Sequence, residues 1–383
     1  MPAERAGMPP GRCAMTPSVG VGGGWGRVAG VPGLLANQRR SARGGPAVSE
    51  RLKALLKFKD LSTFFQLPVN TWIFKNMPAW VSRLYLGLLG RVYFRLAAKE
   101  RAAIQASLAH CLGQRAQSRG ARRMWSRVRA GVVDHYHEKL FLAFKSFARI
   151  RRVCLRRVSI ANQNILDDAV AQGRGVVLVT GHYGALEFLP GALAFRGYPL
   201  SVMVHCKTPK LKKILVERAG RTSTELLDPK SGEVFFQALE HLKRGRVVIT
   251  QCDEIDMWRP YRDKTVNFLG LNVPLDRSMD ILARKSKAVV VMGLVHRLGW
   301  GRYQVEMIQP QEHPAGRAAA LVSQQCLSVL SSYVYSQPHE WYEWKKLRPF
   351  VDANLESRAH ENTGAQGLFD RVAFHLGGVP QLS

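Results

Sequence analysis

The feature that most constrains this chain is an alternation running from residue 176 to residue 295. Four short β-branched or aliphatic runs occur there: VVLVT at 176 to 180, LSVMV at 200 to 204, RVVIT at 246 to 250 and AVVVMGLV at 288 to 295. Between them lie the helix-patterned stretches LKKILVERAG, GEVFFQALEHLKRG and DRSMDILARKSK. A strand that reads as a continuous apolar run has no polar face to turn to water, so it is buried on both sides. Helices between such strands are the crossovers of a parallel sheet. The expected fold class is therefore α/β: a mostly parallel central sheet covered by helices on both faces, preceded by an N-terminal helical, membrane-associating segment. RYQVEMI reads as a further strand and residues 316 to 335 as a terminal helix. No internal repeat is present.

Four regions follow from composition. Residues 1–48 hold 11 glycines and 6 prolines with little apolar periodicity, and are expected to be a disordered extension. Residues 49–160 form a basic helical region, 161–350 the α/β catalytic domain, and 351–383 a loosely ordered tail. Within the second region, MPAWVSRLYLGLLGRVYFRLAAKER (77 to 101) is rich in Leu, Tyr, Trp and Phe yet interrupted by Arg83, Arg91 and Arg95. Two readings of it stay open: an amphipathic helix lying in a membrane interface with snorkelling arginines, or one packed on the protein's own core. Residues 101 to 160 carry 14 Lys and Arg against two acids, and the spacing of Trp125, Val128, Val132, Tyr136 and Leu140 predicts one long helix.

Over all 383 residues, 56 Lys and Arg against 28 Asp and Glu give a formal net charge of +28. That balance favours anionic partners such as a nucleic acid, an acidic membrane, a phosphorylated lipid or an acidic carrier protein. The six cysteines are scattered without C-x-x-C spacing, which points to free thiols in a reducing compartment and away from structural zinc. No apolar window is long enough for a transmembrane helix, and a cleaved signal peptide is not expected. His135 and His137 in DHYHEK fall on nearly opposite faces of a helix, which disfavours joint metal binding, and no metal is assigned. There is no G-x-S-x-G elbow and no G-x-x-x-x-G-K-[ST] loop.

The candidate chemistry lies in GRGVVLVTGHYGALEF. Open α/β sheets bind ligands beyond the carboxyl ends of their strands, and VVLVTGH places His182 at such an end. Gly181 and Gly184 permit a tight turn there. With a helix beginning at Gly184, Glu187 lies close enough to contact the imidazole, and unpaired helical N–H groups face the same spot. A histidine beside a carboxylate makes a general base: the carboxylate orients the ring and stabilises the imidazolium. The competing reading has His182 capping a strand and Glu187 facing solvent. Asp253 and Glu254 end another strand on the same side, and Arg259 and Arg262 follow in a loop suited to clamping a phosphate. Lys207 belongs to a basic stretch suited to phosphate or carrier contact. For both of these, a solvated polar surface is the alternative.

The same stretch resembles the H-x4-D/E motif of the lysophospholipid acyltransferase superfamily and, more narrowly, of the bacterial lipid A late acyltransferases. HCKTPKLKKILVERAGR, LKRGRVVITQCDE, VNFLGLNVPLDRSMDILARKSKAVVVMGLVHR and PHEWYEWKKLRPF resemble the family's successive segments, so the likeness covers roughly residues 75 to 350. It implies transfer of an acyl chain from an acyl carrier protein thioester to a hydroxyl of an anionic membrane glycolipid, at the cytoplasmic face of the inner membrane, by a peripheral or monotopic enzyme. It implies His182 as base, Glu187 as its orienter and no cofactor; Lys207, Asp253, Arg259 and Arg262 are candidates for substrate contact by their position and charge alone. Two other classes stay in view: a thioesterase or lipid hydrolase using the same dyad, and a basic nucleic-acid-binding protein. The transferase reading, with no nucleic-acid partner, accounts for the dyad, the amphipathic entry and the charge together.

Overall fold

A computed structural model describes residues 67–113, 120–206, 208–255, 259–299, 301–310 and 321–356, all within the unit Leu52–Ser383. The extension at 1–48, Lys207 and the residues after 356 lie outside the described residues.

Five helices come first: α1 (Pro68–Asn76), α2 (Ala79–Leu96), α3 (Ala98–Leu112), α4 (Ala121–Phe144) and α5 (Phe147–Arg156). Then follow β1 (Val158–Ala161), α6 (Gln163–Ala171), β2 (Val176–Thr180), α7 (Phe188–Ala194), β3 (Leu200–Met203), α8 (Pro209–Ala219) and β4 (Thr224–Leu227). Next come α9 (Val234–Lys243), β5 (Val247–Gln251), β6 (Pro260–Phe268), β7 (Leu271–Asp276), α10 (Ser278–Ser286), β8 (Val289–Gly299), β9 (Arg302–Ile308) and α11 (Val322–Ser336). A 3-10 turn at Trp344–Leu347 runs into a last helix over 348–356, so the chain is still helical where the sequence suggests a loose tail.

The main sheet has seven strands in the order β1-β9-β8-β2-β5-β3-β4. β8, β2, β5, β3 and β4 run parallel, whereas β9 folds back antiparallel on β8 and carries β1 beside it in parallel. The fold is α/β with a mostly parallel sheet, as the apolar runs predict. Successive residues of β2 supply two different cores. Val177 and Val179 pack with Leu242, Cys326 and Leu330 on one face, and Val176 and Leu178 with Leu166, Leu189 and Leu193 on the other. Helices therefore cover both faces, which is why all five residues of β2 are buried. β6 and β7 form a separate antiparallel hairpin.

The entry segment resolves into two helices, α2 and α3, broken at Ala97. Its two faces differ in burial. Leu86 and Phe94 are buried, Leu86 in a small core with Phe74, Leu140 and Phe144. Trp80, Leu84 and Leu88, spaced four apart, form an apolar stripe at least 59% exposed. The long basic helix is α4, 24 residues in length. Residues 311–320, which include the expected start of the terminal helix, lie outside the described residues, and α11 begins at Val322.

Candidate active site

Strand register assembles the site. β2 and β5 are parallel neighbours with Thr180 opposite Gln251, so the residues two past each strand, His182 and Asp253, emerge side by side at the carboxyl edge. The pairing continues for one bond beyond the ladder, where Cys252 N–H donates to the Thr180 carbonyl at 2.8 Å.

Asp253 is fully buried and surrounds itself with donors. It accepts the His182 backbone N–H at 2.8 and 3.1 Å, the His182 Nδ1–H at 2.9 Å and the Trp341 indole N–H at 2.7 Å. The other ring nitrogen, Nε2, lies 3.2 Å from Glu254 Oε2. Glu254 in turn accepts from Lys346 Nζ at 3.0 Å. Tyr342 packs edge-on against the His182 ring at 5.4 Å and stacks on His135 at 3.6 Å. The Tyr342 hydroxyl and His135 Nδ1 are buried without a hydrogen-bond partner among the described residues. They leave unsatisfied polar capacity in the shell around His182.

Burial works against charge on His182, yet Asp253 first and then Glu254 and Glu343 outweigh it and raise its pKa from 6.5 to about 10. Burial would push both carboxyls up, but the His182 cation and the donors around them hold Asp253 below the usual carboxylate range and Glu254 at about 2. The resting centre is thus an imidazolium between two carboxylates, one sealed and one near the surface.

The expected partnership of His182 with Glu187 is not what the fold builds. Gly184 has φ +58° and lies so close to β8 that a Cβ there would collide with the Val295 carbonyl oxygen. The chain turns through 185–187 and helix α7 starts only at Phe188, with Glu187 at its N-cap position. Glu187 faces Lys139 Nζ at 3.5 Å, while both ring nitrogens of His182 face Asp253 and Glu254. The N–H groups of the turn around the histidine are already taken. Those of His182, Tyr183, Gly184 and Ala185 bond to Asp253, Gly181, Glu340 and Val295 respectively.

The remaining expectations separate. Asp253 is fully buried and bonds to His182 and Trp341. Arg259 and Arg262 are exposed, Arg259 just before the hairpin and Arg262 within β6 rather than in a loop; the Arg259 N–H bonds to Asp276. Lys207 lies outside the described residues. His135 and His137 do point apart, His135 to Tyr342 and His137 to Ser82 and the Ala79 carbonyl. Sequence reasoning missed Trp341, Tyr342 and Lys346. Their local signal was the aromatic and basic cluster WYEWKK, but nothing in it states that Tyr183 bridges to Trp341 across 158 residues.

Comparison with curated proteins finds no match. Residues 50–347, well over half of the chain, match the family model described as bacterial lipid A biosynthesis acyltransferase, and the chain belongs to that family.

Proposed function

We propose that the protein transfers a fatty acyl group from an acyl carrier protein thioester to a hydroxyl of a lipid A-like acceptor, with His182 as general base. The supporting observation is the His182–Asp253 pair at the carboxyl edge of β2 and β5, in a chain whose family performs acyl transfer. Asp253 fixes the ring so that Nδ1 keeps its proton and Nε2 serves the substrate. Glu254 now stands at Nε2, so an acceptor hydroxyl takes its place there, Glu254 staying on Lys346. Removing that anion lowers the pKa of His182 towards the working range of a base. Nε2 gives its own proton to solvent and, once neutral, takes the hydroxyl proton as the oxygen attacks the thioester carbonyl. Collapse of the tetrahedral intermediate breaks the carbon–sulfur bond, and the imidazolium returns its proton to the leaving thiolate. Ester and thiol are the products.

The surface fits the two substrates. A net charge of +28 attracts an acidic carrier and an anionic lipid rather than requiring a nucleic acid. Arg259, Arg262 and Lys207 are assigned to the carrier or its phosphate. No helix among the described residues is long and apolar enough to cross a membrane. The exposed Trp80, Leu84 and Leu88 stripe of α2, with Trp72 of α1 exposed nearby in sequence, supports interfacial attachment at the inner membrane.

The test is incubation of purified protein with labelled acyl carrier protein and a bacterial membrane lipid extract, followed by mass spectrometry. A new acylated glycolipid that is absent with His182→Ala is expected. Label released only as free fatty acid would replace transfer with hydrolysis.

A further inference from the structure

One feature that the chemistry at His182 leaves unused is a hollow of about 400 Å³ between α2, α4, α5 and the β8–β9 hairpin. That volume lies within the ~300–1,000 Å³ usual for small-molecule sites. Its lining includes none of His182, Asp253, Glu254, Tyr342 or Lys346. The wall is chemically divided. Phe141, Phe188 and Val153 form an apolar part. Two arginines there are already neutralised: Arg83 is bidentate on Asp134 at 2.7 and 3.0 Å, and Arg297 is bidentate on Glu138 at 2.8 Å with a third bond to Glu340.

Arg149 and Arg157 are different. With Val153 they form the i, i+4, i+8 stripe that α5 and its C-cap turn towards the hollow. Both are exposed and neither has an ion-pair partner among the described residues. Uncompensated guanidinium beside an apolar wall is the complement of a phosphate joined to a hydrocarbon chain. A second groove of about 490 Å³ shares Arg83 and Asp134 with the hollow and is lined by Trp80 and Leu84 of the exposed apolar stripe.

We propose that this hollow is a binding site for one anionic membrane phospholipid, its phosphate on Arg149 and Arg157 and the start of its acyl chain against Val153, Phe141 and Phe188, separate from the catalytic centre. The site does not depend on the reaction assigned to His182, and binding measures it without turnover.

The experiment is calorimetric titration of the full-length protein with dihexanoyl phosphatidic acid, a soluble two-chain phosphate monoester. Inorganic phosphate, dihexanoylglycerol and phosphopantetheine are run in parallel. Saturable binding of one phosphatidic acid per chain is expected, weakened by roughly tenfold or more for each arginine lost in Arg149→Ala and Arg157→Ala. His182→Ala is expected to bind as the wild type does. Equal affinity in the double arginine variant would overturn the proposal, as would loss of binding in His182→Ala. Inorganic phosphate binding as tightly as the lipid would remove the chain from the site. Preference for phosphopantetheine would give the hollow to the acyl donor instead.

Discussion

Replacing Asp253 by Asn separates the two candidate partners of His182 by a sign that no loss of packing imitates. The folded pKa of His182, about 10, lies above its ordinary value of 6.5. A group raised in this way contributes stability that is complete below the unfolded value and disappears as pH rises through the folded one. At about 1.4 kcal/mol per pKa unit, the shift corresponds to several kcal/mol in total, and Asp253 is the largest of the contributions that raise it. The depressed pKa of Asp253 closes the window from below, since its share is lost in acid. Asp253→Asn keeps the shape and removes the charge. Urea unfolding of both proteins at pH 6.5 and at pH 10 is the assay. The wild type is expected to be more stable by a few kcal/mol at pH 6.5, with most of the difference gone at pH 10. Glu187→Gln, whose salt bridge to Lys139 is partly exposed, is expected to cost under about 1 kcal/mol and to leave the pH dependence intact. A gap for Asp253→Asn that stays constant with pH, or a pH dependence abolished by Glu187→Gln, would refute the assignment. In the transfer assay, loss of the orienting charge is expected to lower turnover by roughly 10²- to 10⁴-fold.

Two further substitutions test the scaffold of the loop. Arg297→Met strands Glu138 and Glu340, both nearly fully buried, and removes the guanidinium bond to the Gly184 carbonyl at 2.7 Å, so a loss of about 3–5 kcal/mol is expected in chemical denaturation. A change below 1 kcal/mol would mean that the network is not formed in solution. Gly184→Ala brings a Cβ onto the Val295 carbonyl at a left-handed φ; thermal unfolding is expected to show marked destabilisation together with lost transfer, and wild-type behaviour would exclude the close approach to β8.

The strands nearest the centre of the sheet were legible because they are buried on both faces. VVLVT matches β2 residue for residue, and β3, β5 and β8 fall within a residue or a few of their apolar runs. β1 and β4, four residues each at the two edges, and the β6–β7 hairpin with its exposed polar positions carried no such signal. An edge strand needs only one buried face, and a four-residue segment is too short to display a period.

The site divides along the same line. The amino-acid order alone determined that a histidine follows a buried strand through a glycine turn, because the alternation of side chains along an extended backbone is a local property of the chain. It also determined that Asp253 and Glu254 follow another such strand. Only the tertiary structure decided that these two strands are neighbours in a register that sets Thr180 opposite Gln251, bringing together residues 71 positions apart. It decided too that Gly184 presses on Val295, so that the helix begins four residues late and Glu187 turns to Lys139. Strand order and the seating of one loop against a neighbouring strand are settled by packing between distant segments, and no local pattern encodes which carboxylate will meet the ring.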